Sequence, residues 1–317
     1  MSASIPHSLH FVWIGRRLPW FAQLAVESAL KACPQACATL WSTDDLSADA
    51  CAAALAQHAR FRLARLDEST LLADAPRELP SALLAGLFRE LQQPAARANL
   101  ARLLILYREG GVYLDTDTVT LRDLSELAPR GAYCGLEHVI WPLERRYGLR
   151  PYRLLGGPLR GLVRNACARL PHGELWFQRL APLYFTAANN AVLGFAPRHP
   201  FLLHMLQRIA ALPPADLTLR YRLGTHLLQQ CLNEAGQALG VEQLSPAHFY
   251  PLGPEISRQY FRDRQDARQS VDRLLTPETY VVHWYASVSE LAGFDEATVR
   301  AQQDHTMFAQ IASRCLT

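Results

Sequence analysis

Apolar positions along this chain of 317 residues change period repeatedly. Residues 9–14 form a short apolar run with a valine and two aromatics, closed by Gly15, and read as a buried strand. A helix is expected over about 20–31. Residues 40–42 read as a second strand, and Thr43-Asp44-Asp45 then offers helix-capping side chains. The alanine-rich stretch 48–58 reads as that helix. Residues 61–94 read as helix in pieces, punctuated by Pro76, Pro80 and Pro94.

The centre carries the sharpest pattern. Pro94 opens a helix in its first turn, where a missing N–H does no harm. Leu100, Leu103, Leu104 and Tyr107 fall at i, i+3, i+4 and i+7 and make one apolar stripe. Gly110-Gly111 supplies the helix stop. A strand over 112–114 then runs into Asp115-Thr116-Asp117. Residues 189–212 read as a strand followed by a helix, and 279–284 as a last β-branched and aromatic strand. Helices and strands alternate, so an α/β sheet protein is expected. No Gly/Ser linker divides the chain, which reads as one domain over 1–317.

Composition narrows the chemistry. Half the residues are hydrophobic and 19% are charged, as in soluble globular proteins. A net charge of +3 carries no nucleic-acid signature. Among 32 basic residues only Lys31 is a lysine, which excludes Schiff-base chemistry elsewhere and the Walker A loop. Seven cysteines without a C-x-x-C pair read as reduced thiols of a cytosolic protein, not as a zinc site. The start of the chain shows no signal-peptide pattern. The apolar stretch near 100–107, flanked and broken by Arg102 and Arg108, is too short to span a bilayer.

Asp115 and Asp117 stand two apart at a strand end, and side chains at i and i+2 share a face. Two carboxylates on one face call for a cation, and oxygen ligands suit Mg²⁺ or Mn²⁺ with positions left for phosphate. Arg102 lies about 10 Å back along the helix at 1.5 Å per residue, level with the acids on the returning strand. Asn99 lies one turn away on the same face. That arginine could hold an anion shared with the metal, or form a plain salt bridge with the acids. A calcium loop is disfavoured because Thr120 stands where glycine is needed. DTDTV also fits an aspartyl-phosphate phosphatase, but that chemistry needs a downstream lysine and there is none. A sugar-nucleotide transferase, with a D-x-D pair holding a metal on pyrophosphate, remains.

The segment ARANLARLLILYREGGVYLDTDT (96–118) resembles the D-x-D sugar-binding region of glycosyltransferase family 32. SLHFVWIG (8–15) is similar to the opening strand of the glucosyltransferase domains of large clostridial toxins. The resemblance implies a GT-A-type (Rossmann-like) fold, with a nucleotide-binding half over 1–135 and an acceptor-side half over 136–317. It implies that Trp13 stacks on the base, and that Arg102 binds diphosphate or sugar. Asn99 stands where many relatives carry an aspartate for donor hydroxyls. Asp115 would meet the ribose and the metal's water shell, and Asp117 the metal itself. Asn190 would lie by the sugar. HWYAS (283–287) looks like the family's H-x-x-x-S-W element with Val288 in place of the tryptophan. It makes His283 a metal ligand and Ser287 a phosphate contact, with Trp284 as a substitute indole.

The implied activity is metal-dependent, retaining transfer from a nucleotide-sugar, with a UDP-sugar favoured by Trp13 and a GDP-sugar as the alternative. The acceptor would be a glycan, a lipid-linked glycan or a protein. Residues 141–170 carry seven arginines against one acid, so Arg145, Arg146 and Arg150, with Glu137 nearby, are the candidate acceptor contacts; a solvated loop would look the same. A non-catalytic sugar-nucleotide- or glycan-binding module on this fold is the alternative reading, with an aspartyl-phosphate-type phosphatase less favoured. A cytoplasmic location is expected, or delivery into a host cell without a signal peptide.

Overall fold

The structure is a computed structural model that describes residues 4–72, 78–141, 156–217, 219, 222–286 and 295–316. Among these residues the strands are β1 (Ser8–Trp13), β2 (Cys37–Ser42), β3 (Phe61–Arg65), β4 (Gly111–Leu114), β5 (Thr118–Thr120), β6 (Ala132–Val139), β7 (Phe185–Phe195), β8 (Glu242–Leu244) and β9 (Val281–His283). Seven form one sheet in the order β3-β2-β1-β4-β7-β6-β8, and β5 pairs with β9. The α/β class read from the sequence is what forms. The chain packs as two units. One comprises Met1–Thr116, Asp123–Cys134 and Ala188–Gln243, and the other Asp117–Arg122, Gly135–Ala187 and Leu244–Thr317. No helix among the described residues is long and apolar enough to cross a membrane.

In the first unit, β1 pairs in parallel with both β2 and β4. Its residues Leu9, Phe11 and Val12 are buried, as expected of a parallel strand covered on both faces. The helix Pro94–Glu109 has proline in its first turn and buries Leu100, Leu103, Leu104 and Tyr107. It stops at Gly110, whose φ of +65° is one that glycine adopts without penalty. At Gly111 a Cβ would lie 2.4 Å from the Ser8 carbonyl oxygen, so only glycine lets β4 come in beside β1. Beyond Gly111, β4 runs antiparallel to β7, with Leu114 opposite Val192.

Two local expectations are corrected. Residues 61–65 form a strand, not a helix. Phe61–Arg65 pairs with Ala38–Ser42 along its whole length, while Arg62, Leu63 and Arg65 are exposed. An edge strand held by backbone pairing carries little apolar signal. The helix after β2 is Ala50–Leu55, capped by Asp49, which accepts from the Cys51 and Ala52 N–H groups; Thr43-Asp44-Asp45 is not its cap.

His10 is a buried polar member of β1. The Trp41 Nε1–H donates to its Nδ1 at 3.3 Å, which leaves the proton on Nε2 to donate to the Gly110 carbonyl at 3.0 Å. Burial lowers the His10 pKa to about 4.

In the second unit, β5 and β9 run antiparallel with Thr118 opposite His283. Its interior holds Tyr250, Tyr260, Trp284 and Phe308, together with an ion pair between Arg264 and the fully buried Glu174 at 2.6 Å.

Candidate functional site

Asp115 follows the carboxyl end of β4, where open α/β sheets bind ligands. Its backbone N–H donates to the Ala191 carbonyl of β7 at 2.8 Å. Its carboxylate accepts from the Tyr113 hydroxyl at 2.7 Å and pairs with the Arg102 guanidinium at 3.1 Å. The level placement worked out from helix and strand rises is therefore what folds. Arg102 is 6% exposed at its side chain. One nitrogen donates to the Asn190 carbonyl, and Nε donates to the Ala98 carbonyl at 3.4 Å. The guanidinium carbon sits 4.3 Å from the Tyr113 ring centroid. A planar fork satisfies these acceptors at once, which an ammonium cannot do.

Asn190 Nδ2 donates to Asn99 Oδ1 at 2.9 Å, so the two candidate sugar-side amides touch. Its neighbour Asn189 is buried and its Oδ1 accepts from the Ala191 N–H at 2.8 Å, a local backbone role. Gly224 closes against the amide pair. A Cβ there would lie 2.9 Å from Asn99 Nδ2 and 3.2 Å from Asn190 Nδ2. Trp13, at the end of β1, is half-buried; its Nε1–H donates to the Arg17 carbonyl at 2.8 Å, and its ring meets the edge of Phe21.

In the second unit Asp117 opens the β5 segment. Its Oδ1 lies 3.0 Å from His283 Nε2, and its Oδ2 accepts from the Ala286 N–H at 2.8 Å. Burial works against the charged form of Asp117. The charge and hydrogen bond of His283 and the Ala286 N–H outweigh it, and the pKa lies below the usual carboxylate range. The Trp284 N–H donates to the Asp117 carbonyl at 3.2 Å. Tyr285 has a φ of +59°, a strained value for a bulky residue and one found most often at functional positions. Its ring centroid lies 4.0 Å from that of His283 and its hydroxyl donates to Glu137 Oε2 at 2.8 Å.

Two sequence assignments are revised by this geometry. Trp284 is 1% exposed and packs against Phe261 and Phe308. Side chains alternate along an extended chain, so His283 and Trp284 face opposite ways, and the indole belongs to the core, not to a donor platform. Glu137 is 7% exposed and tied to Tyr285, so it braces that ring and is not presented to an acceptor. Ser287, Arg145, Arg146 and Arg150 lie outside the described residues. Of the other arginines in that segment, Arg164 pairs with Glu255 at 2.6 Å and Arg160 Nε donates to the Ile140 carbonyl at 3.2 Å.

Tyr113, Gly224 and Tyr285 were not singled out in the sequence. Tyr113 had a signal, because it shares a strand face with Asp115. Gly224 had none.

The donor chemistry fits a divalent cation. The Asp117 carboxylate and the His283 imidazole are both ligand types that divalent cations take.

Residues 21–133 match the family model described as "Glycosyltransferase sugar-binding region containing DXD motif". The match takes in Asn99, Arg102, Asp115 and Asp117. No curated protein matches the chain significantly. Among solved structures, one similar chain is "PaToxG Glycosyltransferase", 15% identical over 73% of this chain and 70% of that one, at a TM-score of 0.47. A second is the UDP-bound glycosyltransferase domain from the YGT toxin, 11% identical over 99% of each chain, at a TM-score of 0.43. A third is the galactosyltransferase LgtC in complex with donor and acceptor sugar analogs, 16% identical over 98% of this chain and 96% of that one, at a TM-score of 0.42.

Proposed function

We propose that the chain, whose residues 21–133 match a DXD-containing glycosyltransferase sugar-binding region, is a nucleotide-sugar-dependent transferase that uses Asn99, Arg102, Asp115 and Asn190 of the first unit and Asp117 and His283 of the second. The supporting observation is the pairing of Asp117 with His283 at 3.0 Å, across 166 residues of chain. An acid of the D-x-D pair thereby gains an imidazole partner of the kind a divalent cation uses.

In this reading Asp117 and His283 would hold Mn²⁺ or Mg²⁺, with Asp115 as a further ligand, direct or through water. A cation bound there would supply positive charge for the leaving diphosphate. Arg102 supplies a second positive group from the protein. It is held in place beforehand by the Asn190 and Ala98 carbonyls, so it needs no reorganisation as charge develops. Asn99 and Asn190 offer amide donors and acceptors for sugar hydroxyls, and Trp13 offers an indole for the base of a UDP-sugar.

Transfer breaks the bond from the anomeric carbon to phosphate oxygen and forms one to the acceptor hydroxyl oxygen. The acceptor attacks on the face that the phosphate leaves and its proton passes to the departing phosphate, so no protein base is required and configuration is retained. The arginines at 145, 146 and 150 are proposed for an anionic acceptor on their charge alone. Reversing all three charges is expected to impair transfer to the acceptor while donor hydrolysis continues; unchanged transfer would remove them from that role.

The donor test is nucleotide release from UDP- and GDP-sugars in the presence of Mn²⁺ or Mg²⁺, for the wild type and Asp117→Asn. The variant is expected to lose at least about 100-fold in rate, as when a group stabilising developing charge is removed. Release at the wild-type rate would rule out the D-x-D assignment. A wild type that binds these nucleotide-sugars and releases nothing would favour a pure binding module.

A further inference from the structure

A second group of potential metal ligands stands in the first unit. His204, Cys231 and Glu234 offer an imidazole nitrogen, a thiol sulfur and a carboxylate oxygen, all within 4.8 Å of one another. His204 comes from the helix Pro200–Ala210, Cys231 ends the helix Thr225–Cys231, and Glu234 lies in the turn Leu232–Gly236 that follows. That turn is wound as a π-helix. Such turns are rare, and they occur frequently at functional sites. Glu234 stands three residues after Cys231, and side chains three apart are neighbours on a helical surface.

We infer that His204, Cys231 and Glu234 form a zinc site that clasps these two helices together, with water completing a tetrahedron. Nitrogen, sulfur and oxygen in one set are the ligands of a borderline-soft ion, and thiolate selects Zn²⁺ over Mg²⁺. Bond lengths of about 2.0–2.3 Å to zinc separate ligand atoms by about 3.3–3.8 Å. His204 Nε2 and Glu234 Oε2 stand 3.1 Å apart and the three ligand atoms lie within 4.8 Å of one another, so side-chain shifts of up to about 1 Å admit the ion. Glu234 Oε1 accepts from Arg208 at 2.9 Å and from Gln230 at 2.9 Å. Those bonds orient the carboxylate and leave Oε2 for the ion, as outer partners do at metal sites.

Cys231 is fully buried. A coordinating thiol is deprotonated outright by a metal ion. Binding therefore exchanges the S–H bond for an S–Zn bond and sends one proton to the buffer. His204 and Glu234 are about one-third exposed, which gives the ion a way in.

The test is a Co²⁺ titration of the full chain carrying Cys37→Ser, which removes an exposed thiol. Thiolate-to-cobalt charge-transfer absorption reports cysteine ligation, and nothing at Asp117 and His283 can produce it. One equivalent of Co²⁺ is expected to raise the band with release of one proton, and Zn²⁺ to displace it. Cys231→Ser should abolish the band. Because that side chain is buried and the variant could misfold, His204→Ala and Glu234→Gln carry the decision from the exposed side, each with at least tenfold weaker binding. Absence of the band in the parent chain, or a band unaltered by both of these variants, would overturn the inference.

Discussion

Arg102 is the residue at which a salt bridge and a catalytic cation make opposite forecasts, and Arg102→Lys separates them. The guanidinium holds Asp115 at 3.1 Å, donates to the Asn190 carbonyl, and lies over Tyr113. A lysine keeps the charge and loses the fork, so it can serve Asp115 or the Asn190 carbonyl but not both in the same geometry. One hydrogen bond to or from a charged group contributes about 1.5–3 kcal/mol. At about 1.36 kcal/mol per tenfold in rate, that corresponds to a fall of about 10- to 150-fold in kcat/KM if the group acts on the transition state. Initial rates of nucleotide release, with saturating Mn²⁺ and varied UDP-sugar, give the first quantity. Urea unfolding gives the second, with an expected loss of about 1–3 kcal/mol. A kcat/KM within twofold of the wild type, beside the full loss of stability, would show that Arg102 only braces Asp115 and would refute its catalytic role.

His10 gives a pH prediction with a definite sign. Its folded pKa of about 4 lies below the unfolded 6.5, so the unfolded chain binds more protons between those values and stability falls with falling pH. The contribution is complete above about pH 6.5, and about 2–3 kcal/mol of it is lost by about pH 4.5. In His10→Gln, unfolding free energies from urea titrations at about pH 7.5 and 4.5 should differ by that much less than in the wild type; an unchanged difference would exclude His10 as the source. Gly224→Ala places a methyl 2.9 Å from Asn99 Nδ2, where a flexible amide must yield. Donor KM is expected to rise at least about threefold, with unfolding free energy changed by less than about 1 kcal/mol. An unaltered KM would remove Asn99 and Asn190 from the sugar subsite.

What the sequence determined by itself is the part of the site made by neighbours in the chain. The apolar stripe ending at Tyr107, the stop at Gly110-Gly111 and the acids after Leu114 form one helix–turn–strand unit. Its rises per residue put Arg102 level with Asp115 before any tertiary contact is known. His283 lies far along the chain, and only the resemblance of HWYAS to a family element pointed to it. Tertiary structure decided the rest. β3 is a strand because β2 offers it a ladder, not because of its own apolar pattern. The alternation of side chains turned Trp284 into the core beside Phe308. Asn99, Asn190 and Gly224 share one corner of the first unit, and His204 meets Cys231 and Glu234, only because helices distant in sequence pack together. Periodicity reports which face of an element is apolar. Which polar groups then meet across two elements is set by packing, and no local pattern encodes it.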